Sequence, residues 1–196
     1  MNLNTKIILT IDESIKKSLL QMYSFNLEKN YLHEIYSYKR KNEEETIIFF
    51  HIQIEKFAEV LTYIKENFIF DKFILIWNSL ILRNQDLEEW DIIIPNTFLD
   101  KNWENPIFLE YAIWDNYDLN KFWLLLSWVC INWKNFEKFE NKEEFQADIV
   151  DNDSYVFLKS FKREDLEKVV VIRNCIKEDS KSINSENLLN IMDVII

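Results

Sequence analysis

Acidic side chains follow three apolar segments that are predicted to be strands, and these are the residues of the chain best suited to chemistry. They are Asp12-Glu13 after residues 6–11, Asp151-Asn152-Asp153 after residues 147–150, and Lys177-Glu178-Asp179 after residues 169–173. Parallel strands end at one edge of a sheet, so these groups could line one pocket. Carboxyl groups there can transfer protons and stabilise positive charge. The alternative is helix capping, because Asp, Asn and Ser are favoured at helix starts.

The hydrophobic pattern predicts elements that bring these residues together. Strands are predicted at residues 6–11, 31–38, 46–51, 73–76, 92–94, 107–113, 122–130, 147–150 and 169–173. Helices are predicted at residues 13–23, 54–68, 135–144 and 185–194, with a further helix ending near residue 161. The second and third strands form a hairpin across a charged turn. The alternation predicts a single α/β domain over residues 1–196, with a mixed, mostly parallel twisted sheet flanked by helices.

Glycine is absent from the 196 residues, whereas Trp occurs seven times. Glycine ordinarily makes up roughly 7% of a protein. Several Trp residues stand where a glycine would be expected, and Asn102-Trp103 and Asn132-Trp133 become turn dipeptides if Trp is read as Gly. Two interpretations follow. The Trp residues are ordinary buried aromatics, or they are glycines whose UGA codons were translated as Trp.

Composition excludes several classes of function. A net charge of −11 without a Lys/Arg-rich stripe argues against binding to nucleic acid or to an anionic membrane surface. The first residues lack the apolar core of a signal peptide, and no apolar run approaches the length of a membrane span, so a cytoplasmic location is expected. Cys130 and Cys175 show no metal-binding spacing and are expected to be buried free thiols. His33 and His51 are isolated and form no metal-ligand pattern.

Five weak motifs in register carry a resemblance to a known family. With Trp read as Gly, they lie in ILIGNSLILRNQDLEEGDIIIP (residues 74–95), LLLSGVCINGKNF (124–136), ADIVDNDSY (147–155) and VVVIRNCIKED (169–179). Their order and spacing resemble the nucleoside phosphorylase superfamily, which includes purine and uridine phosphorylases and the methylthioadenosine/S-adenosylhomocysteine nucleosidases. The agreement extends from about residue 6 to residue 189.

The resemblance implies a set of residues around the nucleoside. By position, Asp151, Asn152 and Asp153 match the acidic motif whose second acid holds the ribose hydroxyls, which makes Asp153 the sugar clamp. Two further pairs match ligand-facing segments. They are Asn78 and Ser79, at the turn that binds phosphate or positions the nucleophilic water, and Cys130 and Ile131, which flank the purine.

The resemblance also implies the catalytic groups. The acid that protonates the leaving base falls on Glu178, with Asp179 as the competing candidate. Glu13 lies where the nucleosidases keep the glutamate that activates water, although Ser14 fits nearly as well. The implied reaction is cleavage of the N-glycosidic bond through an oxocarbenium-like transition state, which needs such an acid and carboxylates near the positive sugar.

The implied substrate is a purine nucleoside or thionucleoside, with no cofactor except phosphate as co-substrate if the chain is a phosphorylase. Subunits of this family pair to close the pocket, so a homo-oligomer is expected. Departures at Leu80, Ile81, Gln53 and Glu55 keep open an alternative, a non-catalytic nucleoside- or nucleotide-binding relative. A third interpretation is an interaction protein that uses the aromatic residues 114–123 as an oligomer surface.

Overall fold

Strands and helices alternate along the chain. The structure, a computed structural model, describes residues 4–29, 34–39, 45–82, 87–100, 105–109, 129–132, 148–151, 153–177 and 188. The strands are β1 (Asn4–Thr10), β2 (Asn26–Lys29), β3 (Glu34–Lys39), β4 (Glu45–His51), β5 (Lys72–Ile81), β6 (Ile92–Ile93), β7 (Thr97–Leu99), β8 (Ile107–Phe108), β9 (Val129–Asn132), β10 (Ile149–Asp151) and β11 (Val169–Ile176). The helices are α1 (Glu13–Met22), α2 (Phe57–Asn67), α3 (Ser154–Lys159) and α4 (Arg163–Leu166), and a 3-10 turn at Ile54–Lys56 leads into α2.

The described strands form one mixed sheet of 11 strands in the order β2-β3-β4-β1-β5-β10-β9-β7-β8, with β11 paired to β5 and β6. Its centre is parallel, because β1 pairs in parallel with β4 and β5, and β11 pairs in parallel with β5. The hairpin of β3 and β4 is antiparallel. The predicted α/β fold with a mixed, mostly parallel sheet is therefore confirmed, and so is the predicted hairpin.

Burial of apolar side chains on both faces holds the central strands in place. In β5, residues 73–77 are all buried, and in β11 residues 169–175 are all buried. The helix α2 packs Phe57, Val60 and Ile64 onto the sheet, at the spacing of one helix face. Each such side chain contributes about 1.5–3 kcal/mol when it is fully removed from water. The continuous apolar runs in the sequence therefore correspond to the core of the sheet.

The two central strands are longer than the sequence pattern predicts. Predicted ends at residues 76 and 173 are wrong, because β5 continues to Ile81 and β11 to Ile176. The two strands pair with each other as far as Ile176 and Leu80, so their backbone groups stay hydrogen-bonded beyond the apolar runs. Strands β2 and β7 and helix α4 were not predicted. Predicted elements at residues 110–113, 122–128, 135–144 and, apart from Leu188, 185–194 lie outside the described residues.

Two of the seven Trp residues fall in the described part of the chain, and they behave differently. Trp77 is buried in β5, with its ring 5.0 Å from the Phe157 ring in an edge-on contact, as the buried-aromatic interpretation expects. Its indole Nε1 nevertheless has no hydrogen-bond partner among the described residues. Trp90 has a φ of 74°, in the left-handed region that favours glycine, and is 41% exposed. Trp90 therefore fits the glycine interpretation better.

Trp90→Gly is expected to raise the free energy of unfolding by about 1 kcal/mol, because a side chain with a Cβ is strained at positive φ and glycine is not. Little packing is lost, since the indole is largely exposed. Urea denaturation of the two proteins measures the difference. Trp90→Ala is the matched control: it removes the same indole but keeps a Cβ, so it should give no gain. Equal stabilities for the Gly and Ala variants would contradict the strain at this position.

Candidate functional site

A gap along one edge of β5 lies where the sequence predicted a pocket. On this edge β1 pairs with β5 only as far as Leu75, and β10 pairs with it only from Leu80 onward. On this edge no described strand pairs with residues 76–79 of β5, whose opposite edge is paired with β11. Because β10 runs antiparallel to β5, its carboxyl end points back into this gap, as the carboxyl end of β1 does from the other side. Crevices between diverging strand ends are the usual ligand sites of such sheets.

Asp12 lines the gap from the β1 side. It precedes α1, but its side chain makes no capping hydrogen bond to that helix. Instead its carboxylate Oδ2 accepts a hydrogen bond from the backbone N–H of Asn78, at 2.6 Å. The amide of Asn174 donates in turn to Asn78 Oδ1, at 2.8 Å. The capping alternative is therefore wrong for Asp12. Its carboxylate accepts the backbone hydrogen bond of Asn78 that a neighbouring strand would otherwise accept.

Burial raises the pKa of the Asp12 carboxyl above its ordinary value, and it outweighs the hydrogen bond from Asn78 and the charges of Arg173 and His51. A raised pKa keeps a carboxyl protonated to higher pH than usual, which suits it to donate a proton or a hydrogen bond. Sequence reasoning placed Asp12 at the strand end but did not assign it to the site. In the sequence, only the position of Asp12 after a predicted strand pointed to it, because the sequence does not show the contact with Asn78.

Asp12→Asn is expected to raise the free energy of unfolding at neutral pH by about 1 kcal/mol. The folded chain keeps the Asp12 proton to higher pH than the unfolded chain does, so ionisation costs stability as the pH rises above 3.8. Urea denaturation from acid to neutral pH should therefore show the two proteins diverging with rising pH and converging below 3.8. Asp71→Asn, at an exposed carboxyl before β5, is the control for the same substitution outside the gap. A gap that is constant with pH would contradict the argument.

Asp151 and Arg173 form a fully buried ion pair beside the gap. Arg173 Nε donates to Asp151 Oδ2 at 2.7 Å, and the side chains of Arg173 and Asp151 are 0% and 3% exposed, respectively. The guanidinium also donates to Ser154 Oγ and, through Nη1, to the carbonyls of Ile172 at 2.6 Å and Leu75 at 3.3 Å. Its Cζ lies 3.6 Å from the Trp77 ring centroid. This pairing ties β11, β5 and β10 together.

The other oxygen of Asp151 holds the start of α3. Asp151 Oδ1 accepts hydrogen bonds from the backbone N–H groups of Asp153, at 2.9 Å, and Ser154, at 2.8 Å. Burial alone would raise the pKa of Asp151, but the charge of Arg173 and the hydrogen bonds of Ser154 outweigh it and hold that pKa below its usual value. Asp151 therefore stays ionised. Its contacts fix the backbone that carries the Asp153 carboxyl, which itself makes no capping hydrogen bond to α3.

Asn78 and Ser79 reach the gap, but not in the turn that the resemblance implied. Both lie within β5, where they pair with Asn174 and Cys175 of β11. The prediction of a turn at these two residues is wrong, because large apolar side chains follow them and the ladder with β11 continues past them. Ser79 is buried, and its hydroxyl donates to Asp151 Oδ2 at 3.4 Å. Asn78, half-buried, stands beside Asp12 in the gap.

A second polar cluster lies beside the gap, on β3, β4 and α1. Register pairs His51 with Thr10 of β1 and with Glu34 of β3, so the three residues form a row across neighbouring strands. His51 Nδ1 lies 3.3 Å from Glu34 Oε2, and His51 Nε2 lies 3.5 Å from Glu13 Oε2. Lys16 Nζ contacts the same two carboxylates, at 2.6 Å and 3.3 Å. The expectation that His51 is isolated is therefore wrong, since its partners come from another strand and a helix.

Of the remaining predicted site residues, two lie in a strand and three lie outside the described part of the chain. Cys130 and Ile131 lie in β9, where their backbones pair with Ile149 and Val150 of β10. Cys175 is a buried free thiol, as expected, and burial raises its pKa. The predicted residues Asn152, Glu178 and Asp179 lie outside the described part of the chain.

Other kinds of site find little support in the residues that the structure describes. No group of three or more His, Cys, Asp or Glu side chains among them is arranged to hold a metal ion. None of the helices described above has both the length and the apolar character needed to cross a membrane.

Comparison with known proteins identifies the fold. Neither a protein-family model nor a curated protein sequence matches this chain. Among solved structures, a 5′-methylthioadenosine/S-adenosylhomocysteine nucleosidase described as putative, from Francisella philomiragia, matches with a TM-score of 0.73 and 12% identity, over 98% of each chain. A futalosine hydrolase mutant of Helicobacter pylori matches with a TM-score of 0.70 and 15% identity, over 97% of this chain and 99% of that one.

A third structure, the Helicobacter pylori 5′-methylthioadenosine/S-adenosylhomocysteine nucleosidase complexed with a substituted pyrrolidin-3-ol, matches with a TM-score of 0.69 and 14% identity, over 98% of this chain and 99% of that one. These matches cover nearly the whole of both chains. The chain therefore has the fold of the nucleosidases, and the fold implied by the resemblance to the nucleoside phosphorylase superfamily is confirmed.

Proposed function

We propose that this chain cleaves the N-glycosidic bond of a nucleoside. The observation that carries the proposal is the gap on the edge of β5, where Asp12 enters from one side and the segment of Asp151 and Asp153 from the other. Breaking an N-glycosidic bond leaves positive charge on the sugar, and carboxylates beside the sugar stabilise that charge. The nucleosidase fold of the chain supports the same reaction.

Asp153 is the group proposed to hold the sugar. Two backbone hydrogen bonds to Asp151 and the ion pair with Arg173 fix the segment that carries it. A carboxylate on such a rigid segment accepts hydrogen bonds from sugar hydroxyls without first having to be ordered. We assign to Asn78, next to Asp12, the binding of the substrate or the nucleophile. Protonation of the leaving base is assigned to Glu178 or Asp179, from the resemblance.

The substrate proposed is a purine nucleoside or thionucleoside. Incubation with adenosine, inosine and methylthioadenosine, followed by chromatography of the free bases, tests the proposal directly. Release of adenine or hypoxanthine at a rate proportional to protein concentration is expected. Absence of free base from this panel and from pyrimidine nucleosides would overturn the proposed activity.

A second candidate, a non-catalytic nucleoside-binding protein, is favoured by one specific observation. Leu80 and the residues before it continue as a strand where the resembling family has a small-residue turn, and Trp77 fills the core beside Arg173. Such a protein would be stabilised by nucleosides without cleaving them, since a ligand that binds only the folded state raises the melting temperature. A thermal shift without base release would select this candidate.

A further inference from the structure

We propose that His51, oriented by Glu34, is the general base that activates a water molecule as the nucleophile, so that the chain acts as a hydrolase. The inference rests on the proposed function and deepens it, because it names the nucleophile and the group that takes its proton. It assigns a catalytic residue that neither the motifs nor the resemblance suggested.

The first step of the argument is the orientation of the imidazole. Glu34 Oε2 lies 3.3 Å from His51 Nδ1 and favours the proton on that nitrogen. The hydrogen bond from Lys16 holds the pKa of Glu34 below its usual value, so Glu34 is ionised. A neutral imidazole with its proton on Nδ1 has its lone pair on Nε2, and this is the arrangement of a base held by a carboxylate.

The second step is what surrounds Nε2. Glu13 Oε2 lies 3.5 Å from it, and both atoms accept hydrogen bonds, so one water molecule can donate to both. Glu13 is already engaged by a cation, because its Oε2 lies 3.3 Å from Lys16 Nζ, and its side chain is 54% exposed. Imidazole is the side chain that most readily gains and loses a proton near neutral pH. We therefore assign to Glu13, the predicted water-activating residue, the role of holding the water.

The third step is the position of the cluster relative to the gap. His51 is paired in register with Thr10, two residues before Asp12, and Asp12 contacts Asn78 inside the gap. The charged groups that face His51 are Glu13 and Lys16 from α1, Glu34 from β3 and Asp12 from the loop between β1 and α1. The hydroxyl of Tyr36, on β3, donates to Glu34.

The charges of this cluster favour water over phosphate. Three of the charged groups around His51 are carboxylates, and the cation among them, Lys16, is already paired with two of these. The guanidinium of Arg173, beside the gap, is buried against Asp151. A phosphate ion would meet net negative charge here, whereas a neutral water molecule meets no such barrier.

The reaction then balances as follows. A proton passes from water to His51 Nε2 while the water oxygen forms a bond to the anomeric carbon. The bond from that carbon to the base nitrogen breaks, and its electron pair goes to the base, which takes a proton from the acid assigned to Glu178 or Asp179. The products are the free base and a sugar with a free anomeric hydroxyl. His51 then returns its proton to solvent, and the acid takes up a proton from solvent.

The test is His51→Gln, which should lower kcat about 10²–10³-fold with KM changed less than threefold. His33→Gln, at the other histidine of the chain, is the matched control and should keep full activity. Imidazole added to His51→Ala should restore part of the lost turnover, which a purely structural histidine would not allow. Undiminished kcat in His51→Gln, or no rescue by imidazole in a folded His51→Ala, would overturn the assignment.

Glu34 is a positioning residue, and its test is the split between kcat and KM. In Glu34→Gln the imidazole loses the carboxylate that holds its proton on Nδ1, so kcat should fall while KM stays nearly unchanged. Glu59→Gln is the matched control: Glu59, in α2, is 47% exposed against 49% for Glu34 and pairs with Lys56. An unchanged kcat in Glu34→Gln would contradict the orienting role.

The nucleophile is identified separately. In phosphate-free buffer the unmodified chain should release base at its full rate and yield a sugar that reduces alkaline copper. Base release that requires phosphate and yields a sugar phosphate would overturn the water assignment and leave the proposed function standing. No base release under either condition would overturn both together.

Discussion

Asp151→Asn is expected to lower the free energy of unfolding by about 3–5 kcal/mol, the largest loss of stability that we predict for a substitution. The change removes the counter-charge of Arg173, whose guanidinium is fully buried and remains charged. It also weakens the hydrogen bonds that Asp151 accepts from the start of α3. Urea denaturation at neutral pH measures the loss.

The pH dependence of the ion pair has a definite sign. The pKa of Asp151 is lower in the folded chain than its ordinary value of 3.8. The unfolded chain therefore binds a proton at this residue before the folded chain does, and the stability from the pair is present above pH 3.8 and lost as the pH falls below it. The difference between Asp151→Asn and the unmodified chain should shrink in the same range.

Two further variants separate loss of the pair from loss of packing. Adding Arg173→Met to Asp151→Asn removes the uncompensated charge, and it should recover a substantial part of the lost stability. Asp165→Asn, at a surface carboxylate 3.6 Å from Lys65 Nζ, should cost less than 1 kcal/mol. If Asp151→Asn costs no more than Asp165→Asn, the buried pair does not hold the three strands together.

Much of the fold is readable from the sequence because it depends on local hydrophobic patterns. The segments at residues 73–76 and 169–173 mark the central strands, and the spacing in α1 and α2 marks one buried face of each helix. The ends of β5 and β11 are not readable, because polar residues such as Asn78 and Asn174 continue the strands. Only the partner strand supplies the hydrogen bonds that keep them extended.

The candidate site is readable only in part. Acidic residues after β1 and β10 predicted a pocket at the strand ends, and the structure places both at the gap in β5. Asp151 contacts Ser79 because β10 runs antiparallel to β5, and the sequence does not show this direction. Nor does it show that β3 and β4 place Glu34 opposite His51, 17 positions later in the chain. Such contacts depend on strand register, which a single sequence does not specify.

Substitution of Asp153 is expected to lower activity strongly, as substitution of Asp151 is expected to lower the free energy of unfolding. Its backbone N–H is bound by Asp151, and its carbonyl accepts a hydrogen bond from Phe157 N–H at 2.9 Å, so its position at the start of α3 is fixed on both sides. A carboxylate there would accept two sugar hydroxyls, and each charged hydrogen bond is worth about 1.5–3 kcal/mol. Those bonds strengthen as positive charge grows on the sugar.

Asp153→Asn is therefore expected to lower kcat/KM for nucleoside cleavage about 10²–10³-fold, at nearly unchanged stability. Asp153→Glu should keep much of the activity, because the resembling family has a glutamate at this position and the longer side chain keeps the charge. Asp165→Asn, in α4 before β11 begins, is the control for a carboxylate away from the gap. Initial rates of base release measure all three. Full activity in Asp153→Asn would contradict a role of Asp153 in binding the sugar, since a neutral side chain in place of a carboxylate beside a cationic sugar should lower activity.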